Sequence, residues 1–298
     1  MQPALAAAAL LVGGYVGFSY AAAVRLLRPP RLVGDWHPGV LGLSYEEFEA
    51  RARDGAVLRG WFIDRGAEET VLVIHGYTRS RWDDKYACPA AYMLARMGFN
   101  VAVYDQRGHG ESGGGMTYLG AREAEDAERV IEELRARWPG RARRIGVLGF
   151  SLGGAVAVML AAGGGVDAAV ADSPYMDILE SARGWIRRYP APARLLLEAS
   201  FPLVVRLAAL KLGVDPGRLV LYPYARRLRA PLLLVAGERD DLVPLESIRR
   251  FYEEARRGGA VVDLWVTGSG HVESLRDSPV AYRERVGGWL ERWLRGGA

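Results

Sequence analysis

Ser151 stands alone among small residues in the stretch Gly149-Phe150-Ser151-Leu152-Gly153. The run before it, RIGVLGF (144–150), has the texture of a short buried strand, and the run after it, LGGAVAVMLAA (152–162), that of a helix of small apolar residues. A strand that turns at once into a helix holds its turn residue in strained backbone geometry, and glycines two positions to either side leave room for that turn. The serine is thereby lifted to a helix N-terminus, where free N–H groups and the helix dipole favour developing negative charge. That places Ser151 as a candidate nucleophile; the bland alternative is a Gly-Ser turn without chemistry.

A serine hydroxyl attacks only when a base takes its proton and a third group orients the base. Four histidines are available. His37 lies in a linker, while His75 (VIHGY) and His109 (DQRGHGES) precede the serine. Only His271, in TGSGHVES, follows it, as the Ser, acid, His order of this elbow type requires. The acid is sought in VAGERDDLVP, where Asp240 is preferred over Glu238 and Asp241; Asp172, closing AAVAD, is a second candidate. Negative charge on a tetrahedral intermediate needs preorganised donors. The Leu152 N–H at the helix start is one, and the Tyr77 N–H, after Gly76 in the loop behind TVLVIHG, is expected as the other.

These residues must be held by regular elements. The stretch YEEFEARARDGAVLRGWFI reads as an antiparallel hairpin turning at Asp54-Gly55. From Thr70 onward, short apolar strands alternate with helical segments, which predicts a mostly parallel sheet with helices on both faces and a site at the C-terminal strand ends. Between about 174 and 230 lies an insertion too long for a loop and helical in pattern, with breaks expected at Pro190, Pro192, Pro202 and Pro216. It is read as a cap over the site, the alternative being an extra structural helix pair.

Residues 3–24 carry no charge and suffice as a helix to cross a bilayer core of roughly 30 Å. The division expected is therefore a transmembrane anchor with a basic flank at 1–31 and a catalytic domain at 32–298. Arginines follow the span, so the positive-inside rule puts the catalytic domain in the cytoplasm. A signal peptide cleaved near Ala21-Ala22-Ala23 is the rival reading. The formal charge of +4 falls to about +1 without Arg25, Arg28 and Arg31, which gives no electrostatic reason to expect nucleic acid as a partner. The single Cys88 excludes an intrachain disulfide and a multi-cysteine metal site.

Taken in order, HGYTRS, DQRGHGES, GFSLGG, GERDDLVP and SGHVES make the chain resemble the α/β-hydrolase superfamily, in its esterase, lipase and serine aminopeptidase-like branch. The resemblance covers about Val71 to Leu294. It implies an α/β-hydrolase fold with Ser151 as nucleophile, Asp240 as acid, His271 as base, and the Tyr77 and Leu152 amides as oxyanion hole. It implies further that Asp105, Arg107 and His109 hold a loop, and that no cofactor or metal is needed. The expected activity is hydrolysis of a carboxylic ester through an acyl-enzyme, with a small-molecule or lipid-derived ester as substrate. The same triad would also serve a peptidase, amidase or thioesterase, and the non-enzymatic alternative is an inactive hydrolase fold acting as a membrane binding module.

Overall fold

In the computed structural model, which describes residues 2–296, the chain opens with a long helix, α1 (Gln2–Leu27). The expected hairpin follows as β1 (Glu46–Arg51) and β2 (Val57–Ile63), antiparallel with Arg51 opposite Val57. Strand–helix alternation then runs through β3 (Glu69–Ile74), α2 (Ala87–Arg96), β4 (Asn100–Tyr104), α3 (Glu123–Arg137), β5 (Arg144–Phe150), α4 (Leu152–Gly163) and β6 (Ala168–Asp172). After the insertion come β7 (Leu232–Gly237), α7 (Leu245–Arg257) and β8 (Val262–Thr267). The chain closes with short helical pieces, Ser274–Asp277 and Pro279–Tyr282, a π-helical turn Arg283–Gly287, and Gly288–Leu294.

The strands form one sheet in the order β1-β2-β4-β3-β5-β6-β7-β8, antiparallel where β2 meets β1 and β4 and parallel from β4 through β3 to β8. The strands β3 to β7 are apolar on both faces because both are covered. Successive side chains alternate between two cores: Leu72, Ile74, Ile145 and Val147 pack toward α3, α4 and α7, whereas Val71, Val73, Leu148 and Phe150 pack toward α2 and the C-terminal helices. With parallel strands flanked this way, every strand delivers its following loop to the same edge, and the site gathers there.

The insertion is helical, as its pattern predicts: α5 (Ile178–Arg187), α6 (Ala191–Leu212) and two 3-10 turns, Pro216–Leu219 and Tyr222–Arg227. One expectation fails, since α6 runs through Pro202 instead of breaking there. Proline removes a single i→i−4 bond, and the carbonyl it would have reached belongs to Glu198, which is exposed. Packing of Ser200, Val204, Ala208 and Leu212 keeps the helix continuous. Helix α1 lies alongside α6. Tyr15 Oη donates to the Ala199 carbonyl at 3.0 Å, and Ala23 and Leu27 join Val204, Ala208 and Leu212 in one buried cluster.

Candidate active site

Ser151 sits at the turn between β5 and α4 with φ 53° and ψ −110°, a left-handed backbone that a β-substituted residue adopts only under constraint. The constraint is close packing of main chain. A Cβ on Gly149 would lie 1.9 Å from the Gly153 carbonyl oxygen, and one on Gly153 would lie 2.2 Å from that of Ile74. Only hydrogen fits at either position, so the sharp turn and the adjacent β3 strand are locked together. The Ser151 N–H is held in turn by the Asp172 carbonyl at 2.8 Å.

The loop after β8 brings His271 over the serine, with Nε2 2.9 Å from Ser151 Oγ. Its Nδ1 lies 2.7 Å from Asp240 Oδ2. The carboxylate oxygen can only accept, so Nδ1 carries the proton and Nε2 is left free to accept from the hydroxyl. Asp240 is itself fixed, because Oδ1 accepts from the Leu242 and Val243 N–H groups, each at 2.9 Å. Its side chain is 1% exposed and that of His271 16% exposed, so the acid is shielded while the base reaches the cavity.

None of the three competing acids hydrogen-bonds the imidazole. Asp241 pairs with Arg188 at 2.9 Å, and Glu238 is exposed. Asp172, fully buried, accepts from Tyr282 Oη at 2.9 Å and Ser173 Oγ at 3.0 Å. Burial pushes its carboxyl up to about 6, against the two hydroxyl donors that favour the anion. Ser173 Oγ also accepts from the Val272 N–H at 3.1 Å, so Asp172 acts on the histidine loop through Ser173. The sequence flagged Asp172, but its link to that loop is a tertiary contact with no local pattern.

The two expected amide donors lie on either side of the serine. Leu152 is the first residue of α4, so its N–H has no partner within the helix. Tyr77 follows Gly76, whose added Cβ would stand 3.3 Å from Ser151 Cβ, which brings this loop against Ser151. Among the described residues, neither N–H donates to a protein acceptor. The loop is braced by His75, a residue the sequence left without a task. Its Nδ1 donates to the Gly76 carbonyl at 2.8 Å and its Nε2 accepts from the Gln106 N–H at 3.0 Å. Complete burial drives its pKa well down, so the ring stays neutral and keeps both bonds.

The DQRGHGES loop is also structural in its contacts. Asp105 accepts from the Arg81 and Glu111 N–H groups at 2.7 and 2.9 Å, and Arg107 binds Asp126 and Asp54. His109 Nδ1 bonds the Arg107 carbonyl at 2.9 Å. His37 tucks its ring between Tyr45 and Trp61. Arg31, counted in the sequence only as a basic flank, reaches the carbonyls of Gly110 and Gly114 at 3.1 and 2.6 Å and so clamps this loop.

Over the serine and histidine lies a cavity of about 550 Å³, walled mostly by apolar side chains of the cap, among them Ile178, Trp185, Phe201 and Val205. Among the described residues, no cluster of histidine, cysteine and carboxylate side chains is arranged to hold a metal.

A model of the family described as serine aminopeptidase, S33, matches residues 66–219, just over half of the chain. The chain belongs to this family, within the α/β-hydrolase superfamily. This α/β hydrolase superposes on the esterase Pf2001 of Pyrococcus furiosus with a TM-score of 0.79 at 34% identity, covering 90% of this chain and 98% of that one. It is 29% identical over 262 residues to the protein YqkD of Bacillus subtilis, or 83% of this chain and 81% of that protein. It also resembles the lysophosphatidylserine lipase ABHD12 of Danio rerio, at 25% identity over 75% of this chain and 55% of that protein. The resemblance stated from sequence motifs alone is thereby shown, and so is the fold it implied.

Proposed function

We propose that this α/β hydrolase is a serine hydrolase that cleaves carboxylic esters, with Ser151, His271 and Asp240 as its triad. The observation that carries the reading is the unbroken chain of hydrogen bonds from Ser151 Oγ through the imidazole to Asp240. In the first step His271 Nε2 takes the hydroxyl proton as Oγ attacks the ester carbonyl. Asp240 stabilises the imidazolium, and the Tyr77 and Leu152 N–H groups receive the oxyanion. The imidazolium then gives its proton to the leaving alcohol. Water, deprotonated by the same nitrogen, releases the acid and regenerates Oγ–H.

An ester is favoured over a peptide by the lining of the cavity. A site for a peptide's α-amino group calls for a carboxylate, and the cap offers Glu180 and Glu198 as candidates. Glu180 instead accepts from Ser247 Oγ at 2.7 Å, and Glu198 stands beside Arg194 at 3.8 Å on the exposed side of α6. Among the described residues, neither they nor any other carboxylate lines the cavity. The esterase and lipase named among the relatives agree with this choice.

For the N-terminus we keep the anchor. Helix α1 is long and apolar enough to cross a membrane and is largely bare of protein along its first two thirds. Signal-peptide cleavage near Ala21-Ala22-Ala23 would remove the Tyr15 hydrogen bond to the Ala199 carbonyl and the buried Ser19. The basic flank leaves the hydrolase unit, 32–298 with its cap, on the cytoplasmic side.

The test is hydrolysis of a p-nitrophenyl ester series, acetate to palmitate, by full-length protein in detergent, beside an aminoacyl p-nitroanilide. Ester turnover abolished in Ser151→Ala is the expected result. Anilide cleavage without ester turnover overturns the choice of substrate, and ester turnover that survives the substitution overturns the nucleophile.

A further inference from the structure

The helix that qualifies as a membrane span is also part of the cavity wall. Ala22, Arg25, Leu26 and Pro30 line the space that holds Ser151 and His271. An anchor that merely tethers a domain needs no such position. The docking is specific: Ala23 and Leu27 are 1% and 0% exposed, the Leu26 carbonyl accepts from Tyr77 Oη at 2.8 Å, and the Leu27 carbonyl accepts from the Thr117 N–H at 2.9 Å. Tyr77 is the residue whose main-chain N–H is expected as an oxyanion donor, so the end of α1 and that loop are joined through one side chain.

The other end of the helix is the reverse. Leu10, Leu11 and Val12 are 77%, 76% and 63% exposed, far more than a helix packed on protein leaves open. Beside it the cap shows Leu195 and Leu196 to solvent, which extends the same apolar surface. At the mouth of the cavity, Trp185 and Tyr189 both line the space and reach the surface, together with the exposed Arg25. Rings with one apolar and one wet edge, and long cationic side chains, settle where acyl chains give way to headgroups. With α1 set across a bilayer, these side chains would put this end of the cavity at the membrane surface, and the volume of about 550 Å³ lies in the range of roughly 300–1,000 Å³ that holds a small organic ligand.

We propose that the cavity receives the acyl chain of a bilayer-resident ester, and that the docked end of α1 with the residues just after it, Ala22 to Pro30, is the wall that sets the acyl length accepted. The inference rests on the ester-hydrolase reading of Ser151. Its physical content is that apolar contact along the chain is made against α1 as well as α5 and α6, so the membrane element and the specificity element are one helix.

The test uses the full chain in detergent and reads the ratio of kcat/KM for p-nitrophenyl palmitate to that for the acetate. Ala22→Trp and Leu26→Trp fill the wall and should lower this ratio by about tenfold or more, the scale on which a hydrophobic pocket discriminates. Leu26→Ala widens it and should shift the preferred chain upward, which covers the case in which a tryptophan variant does not fold. Leu11→Trp, on the bare part of the helix, should keep the ratio. A second readout separates the two readings: binding of a fluorescent palmitate analogue to Ser151→Ala and to its double variant with Leu26→Trp. Weakened binding in the double variant, with no ester turnover by the wild type, overturns the ester reading and supports the wall. Ester turnover with ratio and binding both unmoved overturns the wall alone.

Discussion

The hydrogen-bonded line Ser151–His271–Asp240 makes distinct demands on each member. Asp240→Asn keeps the shape but offers an amide where Nδ1–H needs an acceptor, so the ring turns to the wrong tautomer; kcat should fall by about 10⁴-fold with little change in KM. Ester kinetics at saturating and limiting substrate check this. Asp172 makes a different prediction, about stability and pH. Its folded pKa of about 6 exceeds the ordinary 3.8, so the native state holds the proton more tightly than the unfolded chain. Stability is then greatest below the ordinary value and is lost as pH rises toward 6, by about 3 kcal/mol for this group alone. Thermal unfolding from pH 4 to 8 should fall less steeply in Asp172→Asn than in the wild type, and parallel curves would show that the carboxyl titrates alike in both states. At this scale the sequence pointed to the proposed triad because residue type, strand-end position and chain order agree. It left Asp172 open because Tyr282, which with the adjacent Ser173 occupies that carboxyl, is a long-range contact that no spacing rule encodes.

Among the elements, the β5–α4 elbow depends on main-chain atoms in van der Waals contact. Gly153→Ala would drive a methyl group into the carbonyl oxygens of Ile74 and His75, at 2.2 and 2.7 Å. The Ile74 carbonyl belongs to the paired end of β3 and that of His75 accepts from Gln106 Nε2, so retreat of either gives up a contact; the expected cost is about 1–3 kcal/mol of stability with a larger loss of activity, read by thermal unfolding and ester turnover. The α1–β3 loop contact is milder. Tyr77→Phe removes one hydrogen bond to Leu26, about 1 kcal/mol of stability, and also loosens the loop that carries an expected oxyanion donor. A fall in kcat without a matching rise in KM would show that loop position, more than substrate fit, responds. The strands and α2, α3 and α7 were plain in the sequence because each has a buried face, and α4 because it is apolar on every side. The course of α6 was not, since proline argues for a break on local grounds and only packing against its neighbours holds the helix straight through Pro202.

For the whole molecule, the expected outcome of fractionation is that full-length protein stays with membranes after high-salt washing and leaves only with detergent, because the bare apolar length of α1 is held by lipid and little by charge. Recovery in the soluble fraction would remove the anchor. The sequence by itself determined the superfamily, the doubly covered parallel sheet, the nucleophile elbow and the order of the candidate triad, since these are written in local periodicity, turn residues and motifs that each act over a few positions. It also marked residues 3–24 as apolar enough to span. Only the tertiary structure decided that this helix ends inside the hydrolase unit, that His75 and Arg31 brace the two loops around the serine, and that the cavity carries no carboxylate among its described lining. Those facts depend on which side chains meet across elements distant in the chain, and nothing in the pattern of one segment records where another segment comes to rest.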